Sequence, residues 1–220
     1  MPAPKLAADY RPRVERLFSA FGRDVSTDAG RLLVERAVTF AELVAVWNER
    51  MDLTAARDAD ELVDLLFADA AAVVRERGPE AESENEEWLD AGSGVGAPGV
   101  AVALLVPTLR MTLVEPKAKR VAFLRTLLHA LGRLDVRVER TRVEAMAPGS
   151  CDVAISRATL PPADWLREAS RVTRRDVWLL LAREGPPAGT ELLLERDAAY
   201  RWPLTDRARR AILYRKMRVL

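Results

Sequence analysis

The 220-residue sequence holds one cysteine, Cys151, and one histidine, His129. A lone cysteine excludes an internal disulfide, and with a single histidine it leaves too few soft ligands for a protein zinc site, so no metal is expected. Serine or cysteine hydrolase machinery would have to run through His129. That residue lies in the run Phe123 to Ala130, which reads as a helix ended by Gly132, and a surface helical histidine is expected there. No apolar run approaches the roughly 20 residues that span a bilayer. The segment Met1 to Asp9 lacks the apolar centre of a secretion signal, so a cytoplasmic protein without a membrane partner is expected. Aromatics are sparse at 6%, but 49% hydrophobic residues suffice for a substantial core.

Charge of one sign is missing overall, since the net is only +1, yet the distribution is uneven. Glu80, Glu82, Glu84, Glu86 and Glu87 follow Gly78-Pro79 as an acidic stretch, read as an exposed linker over 78–87. Arginines crowd the carboxyl half. Their planar fork suits phosphates and guanine edges, which makes nucleic acid a plausible partner, against the plain alternative of a solvated arginine-rich surface.

What the sequence does have is glycine in one place. Gly92, Gly94, Gly96 and Gly99 fall within eight positions, between the short apolar run ending at Asp90 and the apolar run Val100 to Val106. Such a segment reads as strand, loop and helix, with backbone N–H groups open to a ligand and Pro98 suited to the helix's first turn. Nineteen residues beyond Gly96, the strand-like Met111 to Val114 ends on Glu115, the spacing at which these folds hold a ribose diol. A dinucleotide would show the same glycines. Asp90, however, would repel a pyrophosphate and would favour the cationic sulfonium and amino groups of S-adenosylmethionine, so that ligand is expected.

Around this centre, residues 1–77 read as a helical cap, with apolar residues at helical spacing in Val14 to Phe21, Leu32 to Met51 and Glu61 to Val74. Residues 88–220 read as alternating strands and helices, with strands at Trp88–Asp90, Met111–Val114, Val136–Arg140, Val153–Ser156 and Val177–Leu181. Two further runs, Glu191–Leu194 and Ala211–Lys216, are expected to close the sheet as an antiparallel edge.

Four ordered motifs carry a family resemblance: Trp47-Asn48 with Asp52 to Asp58; Leu89 to Gly99; Leu113 to Arg125; and Arg142-Val-Glu144 with Cys151 to Ala158. Together they resemble the bacterial small-subunit (16S) ribosomal RNA guanine-N7 methyltransferases, the glucose-inhibited division protein B family. The resemblance implies an α/β, Rossmann-like methyltransferase fold, a mostly parallel sheet with an antiparallel edge and an N-terminal helical extension. It implies S-adenosylmethionine as methyl donor and ribosomal RNA, or the small ribosomal subunit, as partner; a monomer is expected. Asp90, Gly92, Ser93, Gly94, Gly96, Ala97, Glu115, Val143 and Glu144 are its expected cofactor residues, and Arg157 is expected at both the cofactor and the transfer site. Lys119, Arg120, Arg125, Arg142, Arg183 and Lys216 are the expected RNA contacts. Three departures stand out: Leu65-Leu66 replace an Arg-His pair, Ala97 replaces a larger apolar residue, and Glu184 stands where the family tends to carry lysine. They admit a divergent orthologue, a methyltransferase with another substrate, or a noncatalytic RNA- or protein-binding relative.

Overall fold

The computed structural model describes residue 6 and residues 8–78, 85–187 and 191–217. Seven strands form one sheet: β1 (Glu87–Ala91), β2 (Arg110–Val114), β3 (Arg137–Glu139), β4 (Cys151–Arg157), β5 (Thr173–Leu181), β6 (Leu192–Arg201) and β7 (Ala208–Lys216). Their order is β3-β2-β1-β4-β5-β7-β6. The pairs from β3 through β5 are parallel, and β7 is antiparallel to both neighbours, as the sequence predicts. The chain winds outward through β1, β2 and β3, then restarts at β4 on the other side of β1. The crevice at that reversal, beyond the strands' carboxyl ends, is where ligands collect in open α/β sheets.

Successive strand residues face opposite sides, so each strand feeds two cores. On one face, Trp88, Met111, Leu113, Ile155 and Trp178 share an apolar cluster with α1 (Arg11–Ala20), α2 (Asp28–Met51), α4 (Asp69–Arg77), α5 (Gly99–Leu105) and α6 (Ala118–Ala130). On the other, Leu89, Val114, Ala154, Val177 and Ile212 meet Trp165, Leu166, Ala169 and Val172 of α7 (Pro162–Val172). The N-terminal helices therefore complete the layer over one sheet face, through contacts such as the edge-to-face pair of Phe40 and Phe67. Helix starts are capped as their sequences suggest: the Thr27 hydroxyl accepts from Gly30 N–H, and Asp58 accepts from Glu61 N–H at the head of α3 (Ala59–Val63).

Between α3 and α4 the helix widens into a π-helical turn, Asp64–Ala68. Its first residue docks on the edge hairpin: Asp64 accepts from the Leu204 and Thr205 N–H groups and the Thr205 hydroxyl. Leu32 is 46% exposed and faces solvent, outside the apolar stripe of α2.

Two expectations are corrected. Glu86 and Glu87 do not lie in an exposed linker: Glu87 opens β1, and Glu86 is 3% exposed, accepting from Trp88 Nε1 at 2.6 Å and paired with Arg77 and Arg175. Glu80, Glu82 and Glu84 lie outside the described residues. The second concerns β6, which runs to Arg201 and well past the expected Leu194, because its residues pair with β7 while mostly facing water, so no apolar alternation marks it.

Candidate functional site

A cleft of about 430 Å³ opens at the carboxyl ends of β1, β2 and β4. The glycine loop forms its floor. Gly92 and Ser93 N–H groups both donate to Val114 O at the end of β2, which bends the loop across the switch point. Gly92 has φ +70°, and a Cβ there would collide with Thr159, whose hydroxyl donates to Ala91 O at 2.8 Å. Gly94 has φ +54° and a different surround: a Cβ would meet only Gly92 O at 3.7 Å and Arg120 Nη1 at 3.9 Å, so it would stand in the cleft.

Glu115, 2% exposed, is fixed by the loop it faces. Its two carboxylate oxygens accept from Gly94 N–H at 3.0 Å and Lys117 N–H at 2.8 Å, with Arg120 Nη1 at 3.9 Å. Each oxygen keeps a lone pair for a ligand hydroxyl. Val143 and Glu144, in a short 3-10 turn (Val143–Ala145), line the neighbouring wall; Arg171 braces that turn from below by donating to Val143 O and Met146 O.

Arg157, at the end of β4, spans the cleft to the N-terminal helices. Its Nη1 donates to Leu65 O at 2.6 Å and to Asp69 at 2.8 Å, and its Nη2 to Ala97 O at 3.4 Å. Of five guanidinium protons, Nε–H and one on Nη2 are left for a ligand. Asp69, 2% exposed, is the hub: its other oxygen accepts from the Tyr200 hydroxyl at 2.6 Å and Trp202 Nε1 at 2.7 Å. Burial, then the Asp69 carboxylate, push the Tyr200 hydroxyl pKa far up.

Of the expected cofactor residues, Gly92, Ser93, Gly94, Ala97, Glu115, Val143, Glu144 and Arg157 line the cleft. Asp90 and Gly96 do not. Asp90 is 1% exposed and turned beneath the loop, where Oδ2 accepts from Gly99 N–H at 3.1 Å and Oδ1 has no partner. Burial pushes its carboxyl up to about 6. It sits under the start of α5, and the electrostatic role read from sequence is replaced by a bracing one. Gly96 packs inward, where a Cβ would press on Val100, Phe40 and Leu124.

Among the expected RNA contacts, Arg120 and Arg142 line the cleft, Lys119 and Arg125 are exposed on α6, and Arg183 is exposed just past β5. Lys216 is not brought to the site: antiparallel β7 carries it to the start of β5, where its amine donates to Ser170 O and Thr173 O. Leu65 lines the cleft while Leu66 is core, and Glu184 is exposed outside it. Sequence reasoning missed Leu53, Thr54 and Ala55, which form one rim. The available signal was the Trp47-Asn48 and Asp52 motif: Asn48 accepts from Thr54 N–H, and Asp52 ends α2 at φ +50°, turning the chain over the cleft.

His129 is exposed on α6, and Cys151 is buried at the start of β4, its thiol pushed up to about 12 by burial. Neither reaches the cleft. Among the described residues no cluster could hold a metal, and no helix is long and apolar enough to cross a membrane.

The family model described as rRNA small subunit methyltransferase G matches residues 33–188, well over half of the chain. The sequence is 34% identical over 157 residues to the ribosomal RNA small subunit methyltransferase G of Neisseria gonorrhoeae (strain NCCP11945), covering 70% of this chain and 72% of that protein. It is 38% identical over 122 residues to the protein of that name from Pseudomonas paraeruginosa (strain DSM 24068 / PA7), covering 55% of each, so the match spans only about half the length of that relative. The fold is similar to magnesium protoporphyrin IX methyltransferase from Synechocystis PCC 6803, solved with bound SAH, at TM-score 0.53 and 12% identity, covering 67% of this chain and 81% of that one.

Proposed function

This chain belongs to the rRNA small subunit methyltransferase G family, and on that premise we propose that it transfers a methyl group from S-adenosylmethionine to N7 of a guanine in small-subunit ribosomal RNA. The observation that carries the reading is the joining of Gly94 to Glu115 at the rim of one cleft, a backbone cradle facing a carboxylate whose remaining lone pairs suit a ribose diol. The cradle fits the cofactor, since the space beside Gly94 is what a side chain would fill. Gly92, Ser93 and Gly94 would border the methionine part, Glu115 the ribose, and Val143 with Glu144 the adenine.

S-adenosylmethionine supplies an electrophilic methyl carbon on a sulfonium. Guanine N7 carries an in-plane lone pair and gives up no proton on attack, so the chain needs no general base. What the protein contributes is alignment, worth up to about 7–11 kcal/mol in well-oriented systems. Arg157 serves alignment directly. Three protein acceptors hold the guanidinium still, and its two remaining protons would serve guanine O6 or the cofactor. The product base is cationic, so an arginine beside it orients and does not stabilise charge. Arg120 and Arg142 at the cleft, with Lys119, Arg125 and Arg183 around it, would hold RNA phosphates. The enzyme works as a cytoplasmic monomer in this reading.

Calorimetric titration with S-adenosylmethionine, followed by radiolabelled methyl transfer to small ribosomal subunits lacking their native methylation, tests the proposal. Binding with transfer onto guanine N7 is expected. Binding without transfer would redirect the search to another substrate, and no binding would leave a noncatalytic relative that uses the fold to hold a partner.

A further inference from the structure

On the β5 side of the cleft, the edge hairpin brings to Arg183 a group of arginines that the methyl-transfer reading does not use. Arg157 pairs in register with Leu180 of β5, three residues before Arg183, and Leu181 pairs with Arg210 of β7. The start of β7 therefore stands beside the cleft's rim. There Ala182, Arg183, Tyr200, Arg201, Arg209 and Arg210 line a depression of about 330 Å³.

These cations are not equivalent. Arg201 pairs with Asp206 and Arg210 with Asp197. Arg209 and Arg183 have no carboxylate within ion-pair distance among the described residues. Arg209 lies with its guanidinium carbon 3.8 Å from the centre of the Trp202 ring, and one Nη1 proton goes to Ala208 O. Trp202 is itself held by Asp69, the residue that holds Arg157. Stacking of this kind fixes the plane of the fork and leaves its edge open to a phosphate. Arg183 and Arg209 line one depression, so an anion bound there would meet both guanidiniums without first breaking an ion pair. Burial, first, holds the Arg209 guanidinium below its ordinary range; the Asp69 carboxylate opposes that shift, and the Arg207 and Arg157 charges add to it.

We propose that Arg209, stacked on Trp202, and Arg183 form a subsite for one backbone phosphate of the RNA, flanking the target nucleotide on the β5–β7 side of the cleft. The proposal rests on the RNA methyl-transfer reading above.

The experiment uses the full chain with undermethylated small ribosomal subunits. Arg183→Ala, Arg209→Ala and the double variant are compared with wild type for KM, for S-adenosylmethionine affinity and for the salt dependence of binding to the isolated small-subunit RNA. The double variant is expected to raise KM roughly tenfold, the scale of a charge-assisted hydrogen bond. It should also flatten the slope of log affinity against log salt by about one phosphate contact, with cofactor affinity unchanged. Arg209→Lys keeps the charge without the stacked fork and should fall between, which guards against a folding defect in the alanine variant. Arg210→Ala, whose cation is already paired, should match wild type. Unchanged KM and salt slope in the double variant would overturn the subsite. A raised KM with an unchanged slope would also overturn it, assigning the surface to a contact other than phosphate. Wild-type protein that binds no cofactor or methylates no RNA would overturn the underlying reading instead.

Discussion

The two ends of the sheet use the same residue type for opposite purposes. At the amino ends of β1, β4 and β5, arginines are spent on the protein itself: Arg77 and Arg175 pair with buried Glu86, Arg174 pairs with Glu87 and Asp152, and Arg215 pairs with Asp176. At the carboxyl ends, Arg142, Arg183 and Arg209 have no carboxylate partner among the described residues, and Arg157 keeps protons beyond those its acceptors take. Positive φ marks both ends, at Gly92, Gly94 and Ala158 by the cleft and at Asn85 and Gly149 by the amino ends, but only by the cleft does it clear backbone for a ligand. One end is a closed electrostatic clamp; the other is a set of donors and cleared backbone open to anionic and polar ligands. The number or clustering of arginines therefore says little about function until each one's partner is known.

The contrast breaks most sharply at Gly94. A valine there must hold φ +54°, which costs roughly 1–2 kcal/mol for an L side chain, and would place its branch in the cleft. Gly94→Val is expected to remove measurable S-adenosylmethionine binding in calorimetry while the circular dichroism spectrum stays native. Retained affinity would sink the loop assignment.

Next in size are paired substitutions at the two ends. Arg157→Ala leaves the Asp69 carboxylate buried without its cation, and removing one partner of a buried pair costs about 3–5 kcal/mol. Tyr200 and Trp202 still donate to Asp69, which favours the low end of that range. Methyl transfer should be lost and the denaturant midpoint lowered together. Glu86→Ala removes the buried carboxylate that Arg77 and Arg175 share, although Arg175 keeps Asp176; it should cost stability toward the low end of that range, yet cofactor affinity and turnover below the melting temperature should match wild type. Equal loss of turnover in both variants would mean that the two ends are not functionally distinct.

The same division marks what was legible in the sequence. The glycine loop, Glu115 and the parallel strands were legible, because positive φ, strand alternation and carboxylate spacing are local constraints that leave local signatures. Arg157 was legible only as a position at a strand end. Its partners Leu65 O and Asp69 lie 92 and 88 residues away, and no local pattern carries a contact of that range. Lys216 failed for the related reason that β7 reverses direction, which moves a tail residue to the sheet's far end. Asp90 failed because a strand-end acid can point into the crevice or under the next helix, and strand residues alternate sides.

Asp90 gives the next smaller effect. Its carboxyl is raised from the ordinary 3.8 to about 6 by burial, only partly offset by hydrogen bonding and Arg157. A raised carboxyl means that the native state binds the proton more tightly than the unfolded chain. This group's contribution is therefore fully present below the unfolded value and is lost as pH rises through about 6, a penalty on the order of 3 kcal/mol. Glu61, Asp135 and Asp152 act with the opposite sign, since their lowered carboxyls add stability as pH rises through the acid range. The difference between wild type and Asp90→Asn isolates the buried group from them. The variant should gain on wild type between about pH 4 and pH 6.5, measured by urea unfolding across that range. Parallel curves would mean that Asp90 titrates as an ordinary carboxyl.

The smallest expected effect is at Arg174, and it tests the clamp reading most directly. Arg174 donates to Asp152 at 2.8 Å, to Glu87 at 2.5 Å and to Gly149 O at 2.7 Å, so by its partners alone it would rank among the strongest arginines in the chain. Its side chain is nevertheless 44% exposed, and exposed pairs contribute about 0.2–1 kcal/mol because water screens them and two long side chains must be ordered. Arg174→Ala should therefore lower the urea midpoint only slightly, less so in high salt. KM for the ribosomal substrate should not move, because this guanidinium is already turned onto carboxylates and a carbonyl of the protein. A raised KM in Arg174→Ala would place RNA at the amino end of the sheet, and the division between a clamped end and an open one would fail where it looks safest.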